Sequence, residues 1–277
     1  MRRNFGAAAI AVLISAAGPA IAADLPVKAP APVYSWTGFY LGADIGGYGA
    51  GQSATTNPFP SPGFGAPAII GAGVPGFGNL PTTHDLGGAG ALGAIHAGYN
   101  WQVSNWVVGL EGDVALIHRS VTDIETVFET FAPAPAFNMQ MTANSQWLAS
   151  MRGRVGWTAG SWLLYATGGA AWTSTSYTAN ATGTISGPVV LPGVAAGVNF
   201  DETKTGWVVG TGFEWMLSPN WIVRAEYLHY DFGGASATLP LVFANAVAAC
   251  APGLCNWAVS ASNLRIDSGR LGLSYKF

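Results

Sequence analysis

Eight stretches of this sequence, at roughly 36–47, 89–101, 106–118, 146–157, 162–175, 205–216, 221–232 and 264–277, alternate apolar residues with polar or small ones. A period of two sends successive side chains to opposite faces of an extended chain, so each stretch reads as a β-strand with one apolar face. The connections alternate too. QVSN from Gln102 to Asn105, TAGS from Thr158 to Ser161 and LSPN from Leu217 to Asn220 are short, whereas 48–88, 119–145, 176–204 and 233–263 are long and rich in Gly, Pro, Ala, Thr and Asn. Strands long enough to cross a bilayer at a tilt, with tight turns at one end and long loops at the other, predict an all-β fold. The expected architecture is an eight-stranded antiparallel transmembrane β-barrel of up-and-down topology, with four long extracellular loops and three short periplasmic turns. An even strand count then leaves both termini periplasmic.

Composition narrows the alternatives. Half of the 277 residues are hydrophobic, 9% are charged and 38 are Gly, which is too apolar for a disordered chain and too Gly-rich for a helical bundle. Beyond the N-terminus no run of eighteen apolar residues escapes interruption, so a membrane-spanning helix is excluded. The net charge is -3 and no basic run exceeds a pair, so the clustered cations that neutralise nucleic-acid phosphates are missing.

The first 22 residues have the parts of a secretory signal: Arg2 and Arg3, an apolar run from Phe5 to Ala17, and Ala20-Ile21-Ala22 before a cleavage point. The Pro-rich segment 23–35 reads as a periplasmic linker, and 36–277 as the barrel domain. Cys250 and Cys255 share one expected loop, where an oxidising compartment permits a small disulfide. Two Cys fall short of the four ligands of a structural zinc, so no metal is expected.

Aromatic residues test the barrel reading, because their rings gather where hydrocarbon meets water. Trp101 and Trp106 flank the first short turn, Trp157 and Trp162 the second, Trp215 and Trp221 the third. Six Trp in matched pairs predict an aromatic girdle at one membrane face. Parity also sorts the charges: Asp44, Glu111, Asp113, Glu214 and Glu226, with Arg152, Arg154, Arg224, Arg270 and Lys276, all fall on the inner face. Five acids and five bases in a bore only wide enough for side chains predict a closed, hydrogen-bonded plug, with a narrow ion path as the alternative. Inward Gly42, Gly109, Gly210, Gly212 and Gly272 are expected to leave room for the arginines.

Three segments carry a resemblance: WTGFYLGADIGGYG after the Pro-rich spacer, GYNWQ at 98–102, and the closing pair WIVRAEYLHYDFG and LRIDSGRLGLSYKF. In this order, ending on Phe, they resemble the small eight-stranded outer-membrane β-barrel family of alphaproteobacteria, the surface proteins related to opacity-type and OmpA-type barrels. The resemblance implies an outer-membrane location and a part in envelope integrity or surface contact. It also makes Leu273, Tyr275 and Phe277 look like the C-terminal signal read by the barrel-insertion machinery. The first loop, with no charge from 57 to 81, departs from the pattern and weakens any transfer of a binding role.

Chemistry is sparse. A hydrolase needs a nucleophile, a base and an orienting carboxylate in hydrogen-bond reach, and the nearest candidate set is His229, Asp231 and Ser236. His84 lies beside Asp85, His96 faces inward and His118 precedes Arg119 near a strand end. Polar residues at a barrel rim are common without catalysis. The glycines Gly87, Gly88 and Gly90 lack the following helix or Lys of a phosphate loop. The expected function is therefore a structural or surface-interaction protein of the envelope, not an enzyme and without a cofactor. Its expected partners are outer-membrane lipids, lipopolysaccharide and a host or envelope molecule met by the loops; a small passive porin is the alternative, and a lipid-modifying enzyme comes third.

Overall fold

The computed structural model describes residues 34–57, 82–128, 136–185, 191–240 and 256–277. The expected signal segment, nearly all of the expected linker, both Cys and Phe59, Phe64, Phe77 and Phe131 of the expected loops lie outside them.

Eight antiparallel strands close into a barrel: β1 (Gly38–Gly51), β4 (Gly88–Val103), β5 (Trp106–Phe128), β6 (Ala136–Ala159), β7 (Trp162–Ile185), β8 (Leu191–Met216), β9 (Trp221–Asp231) and β12 (Arg265–Lys276). Ring order follows the chain, and β12 closes the circle on β1 from Tyr40↔Lys276 to Gly51↔Arg265. Every expected strand is present. Two of the short connections are two-residue turns, and each opens with a residue of positive φ: Ser104 at 56° and Gly160 at 64°. Glycine takes that conformation without strain, whereas Ser104 holds it as the sole non-glycine among the described residues.

The strands are longer than expected on one side of the ring. β5 to β8 run for 23, 24, 24 and 26 residues, so most of 119–145 and 176–204 is sheet rather than loop. These stretches read as loops because Thr, Asn, Ser and Ala fill them, yet their alternation persists. Met139, Met141, Ala143, Tyr177 and Ala179 point inward and are buried.

The other four strands stop at one level. Beyond it the chain resumes as β2 (Ser53–Asn57), β3 (Thr82–Asp85), β10 (Ala235–Pro240) and β11 (Asn256–Ala261), a separate sheet ordered β10-β11-β2-β3. Neighbours are the same above and below the break. Backbone bonds stitch it, among them Leu86 N–H to Gln52 O at 2.8 Å and Ser262 N–H to Ser53 O at 2.7 Å. On the unbroken strands the same region carries register shifts, between Leu116 and Arg119 on β5 and between Ser145 and Leu148 on β6. An extra residue increases local twist, so bulges turn the continuous strands where the others break.

The exterior changes character there as well. On β7 the outward residues below the boundary are Leu164, Ala166, Gly168 and Ala170; above it they are Ser174, Ser176, Thr178 and Asn180. Below, large apolar side chains such as Ile45 (73% exposed) and Leu116 (70%) stand free on the outer wall. That is the pattern of strands facing hydrocarbon for part of their length and water for the rest.

Candidate functional site: the filled bore

The interior is stacked in layers. At the base Trp36, Val107, Leu163, Tyr165, Met216 and Ile222 form an apolar cluster. Trp36 precedes β1 and crosses the bore. Its indole N–H donates to Gly160 O at 3.2 Å on the far turn, and its backbone N–H to Gln102 Oε1 at 2.8 Å.

Above that base lie the ions. Arg224 donates through Nε and Nη2 to Asp44 at 2.7 and 2.8 Å, and through Nη1 to Glu111 at 2.9 Å. Arg152 links Glu111 with Glu226, and Arg154 joins Glu111 to Glu214 at 2.7 Å. Arg270 donates to Asp113 at 2.8 Å and to Tyr230 Oη at 2.6 Å. Tyr40 donates to Glu111 and Tyr165 to Glu226, and the Arg154 guanidinium lies 3.9 Å from the Tyr165 ring centre. In a low-dielectric interior such bonds are strong where partners are met, and here five carboxylates and four guanidiniums pair with one another, leaving among the described residues only Arg152 Nε and Arg270 Nε of the network without a partner.

Lys276 does not join them. It lies at the base, where its backbone N–H donates to Asn220 O, and no carboxylate among the described residues is within salt-bridge reach. Parity gave its face correctly, but its height on β12 is wrong for the network. The fifth place on the basic side is taken by His96, whose Nδ1 is 2.7 Å from Asp44 Oδ2 and whose Nε2 is 2.8 Å from Ser274 Oγ. Glycine makes room here, though chiefly for other side chains than the arginines. A Cβ at Gly272 would stand 2.0 Å from Asp44 Oδ1, and one at Gly212 2.3 Å from the Tyr165 ring.

Over the ions lies a second apolar layer that includes Leu92, Ile117, Leu148, Val208, Leu228, Phe232 and Ile266. The bore is thus ionic at one level and apolar on either side of it, not ionic throughout as parity alone implied. At the boundary Arg119, missed by the sequence reading, is buried. It donates to Leu86 O and to Gln52 Oε1 at 3.2 Å, while its Nε and Nη1 find no partner. Higher still, Met139, Met141, Tyr177, Ala179, Ala235, Val259 and Ala261 form a third apolar cluster between the extended strands and the small sheet. Lys204, also missed, is buried nearby with Glu202 3.4 Å away.

The six turn tryptophans all stand on the outer wall, 44–58% exposed. Trp106 is the cross-strand partner of Trp157, and Trp162 stacks on Trp215 at 5.5 Å. Trp221, Tyr275, Phe277 and Phe39 continue the chain of rings at 5.1–5.7 Å. Leu273 shares this outward face. The candidate hydrolytic set is not assembled. His229 Nδ1 meets Asp267 Oδ1 at 2.7 Å, whereas Asp231 pairs with Arg265 and Asn263, and Ser236 faces Ser260 across β10 and β11. His84 lies between Thr56 and Asp123, and the exposed His118 lends its carbonyl to Tyr48.

Residues 7–277 match the outer membrane protein beta-barrel domain family. The 31 kDa outer-membrane immunogenic proteins of Brucella melitensis and Brucella suis are each 31% identical over 211 residues, 75% of this chain and 76% of theirs. Neither relative is named as an enzyme. Among solved structures, Neisserial surface protein A is 14% identical and overlaps 87% of this chain and 98% of its own at a TM-score of 0.32. The outer membrane protease OmpT of Escherichia coli is 10% identical and overlaps 86% and 97% at 0.44. Overlaps this loose say nothing about role.

Proposed function

Because the chain belongs to the outer membrane protein beta-barrel family and resides in the outer membrane, we propose that it serves the envelope as a sealed barrel. In this reading the hydrocarbon-level ring is an anchor and the tier above it is the working surface. Both termini and the Trp-flanked turns face the periplasm, and the small sheet with the extended ends of β5 to β8 stands outside the cell. The six tryptophans anchor the inner rim, and Leu273, Tyr275 and Phe277 are the strand the insertion machinery reads. No catalytic role is assigned.

The observation that carries this reading is the threefold closure of the bore: an apolar base with Trp36, a mutually paired ionic layer, and an apolar layer above. An ion entering would have to shed water against two apolar layers and break charge-assisted bonds between them, which is costly at each step. The outer tier carries the surface role. The Brucella relatives are named as immunogenic, which suits a part displayed outward.

Conductance tests it. The mature protein, refolded into planar bilayers and shown folded by its heat-dependent gel shift, is expected to be electrically silent. Discrete openings that change when Arg152 or Glu214 is replaced by Ala would establish the passive porin instead.

A further inference from the structure

The outer wall of β7, β8, β9 and β12 carries a column of grooves and polar groups that climbs from hydrocarbon level toward the tier. At hydrocarbon level there is a groove of about 480 Å³, walled by Leu164, Phe213, Tyr227 and Leu271 and floored by Ala225 and Gly269. Its upper end is polar. Tyr227 lines the groove with its ring while its hydroxyl donates to Asp267, and His229 Nδ1 bonds the same carboxylate oxygen with Trp207 beside its ring. Asp267 lies two residues beyond Gly269 on the same face of β12, and Arg265 two beyond that. Arg265 borders a second cleft, of about 740 Å³, that also includes Gln52, Ser53, Asp85, Ser262 and Asn263. From Leu271 to Arg265 the column climbs six residues, about 20 Å at the rise of a strand.

The polar groups are arranged so that Asp267 and Asp231 are occupied while Arg265 keeps donors free. Asp267 is held by Tyr227 and His229; Asp231 accepts from Gly233 N–H, Asn263 and Arg265. Arg265 commits Nε to Asp231 and is 63% exposed, which leaves its terminal amines as donors toward solvent, whereas His229 spends its Nδ1 on Asp267. The Ser53 and Ser262 hydroxyls and the Asp85 carboxylate in the upper cleft give acceptors that suit sugar hydroxyls.

We propose that this column binds one phosphorylated glycolipid of the outer leaflet. An acyl chain occupies the groove, a phosphate meets the terminal amines of Arg265, and sugar hydroxyls bond within the upper cleft. The assignment rests on the orientation proposed above, with the tier outside. A diacyl phospholipid shares the chain and the phosphate but has no sugar to fill the upper cleft.

Native mass spectrometry of the protein extracted from its own outer membrane in mild detergent reads the bound lipid directly. One phosphorylated glycolipid is expected to survive delipidation. Gly269→Leu is the decisive variant: a Cβ there has no atom within 4 Å, so the barrel accepts the side chain while the groove is filled. Retention should fall about tenfold or more, the scale of losing burial for two methylenes. Arg265→Ser should lower it by a similar factor, with the heat-dependent gel shift unchanged in both. Equal retention in all three proteins, no glycolipid at all, or a phospholipid in its place overturns the proposal. An epitope inserted within 186–190 and probed on intact cells tests the orientation separately. A tag reached only after permeabilisation overturns the orientation, whereas a surface tag with no lipid overturns the lipid site alone.

Discussion

Below the level of Gln52 the barrel is apolar outside and, at its heart, ionic within; above that level the same strands are polar outside and apolar within. β7 shows the exchange in one element, with Leu164 outward and Thr167 inward below, Ser176 outward and Tyr177 inward above. The two halves use the same alternation to answer opposite solvents. In the hydrocarbon-level ring a polar bore does more than fill space. Strands apolar on both faces would lose the cue that sets their register, since a slip by one residue would cost nothing. The upper tier needs no such device, because water outside already distinguishes its faces, and it contains just two buried cations, Arg119 and Lys204, among the described residues.

The contrast can be broken most forcefully from below. Arg224→Met removes the cation shared by Asp44, Glu111 and Glu226 and leaves buried carboxylates short of partners. It should cost about 3–5 kcal/mol, read as a lower urea midpoint of the folded barrel in detergent. Met141→Ala attacks the upper core and should cost about 2–4 kcal/mol, confined to the tier. Amide exchange above Arg119 should accelerate while the urea midpoint of the lower ring stays put; if both halves melt together, they are one cooperative unit and the comparison fails.

Effects at the boundary should be smaller. Gln52→Leu takes an acceptor from Arg119 and a donor from Tyr177, costing about 1–3 kcal/mol, visible as faster exchange at Leu86 and Ser262. Lys204 gives the mildest test. Burial holds its ammonium below the ordinary lysine range even though Glu202 opposes the shift. The folded tier therefore binds that proton less tightly than the unfolded chain, so its stability should rise as pH climbs through the folded value and level off at the unfolded one. Lys204→Met should abolish that rise and leave the tier slightly more stable at neutral pH.

The sequence made the lower ring readable for a physical reason: at that level the two faces differ sharply, and Trp pairs mark each tight turn. Above Arg119 most inward residues are Ala, Thr, Ser and Met and most outward ones Thr, Asn and Ser, with Tyr177 and Ile124 as exceptions, so the alternation persists with little contrast and resembles loop composition. Parity settles face but not height. It put Lys276 on the correct face, yet only the register Tyr40↔Lys276 shows that it lies at the base, far below Arg270. The same limit hid His96 as the partner of Asp44, and Arg119 as a buried cation rather than the end of a strand. The break itself had no local signal beyond Gly51-Gln52 and Leu86-Gly87, because it is defined by four strands ending together.

Trp36 bears on the order in which the molecule is made. Its stretch of chain leaves the ribosome before any strand, yet its resting place touches the end of β4 and the β6–β7 turn, and the second exists only after more than half of the polypeptide has been synthesised. The stopper is therefore translated ahead of every strand but seated only once the turn into β7 exists. The cluster around it also takes in Met216 and Ile222, so corking of the vessel waits on the later strands rather than on the segment that supplies the cork.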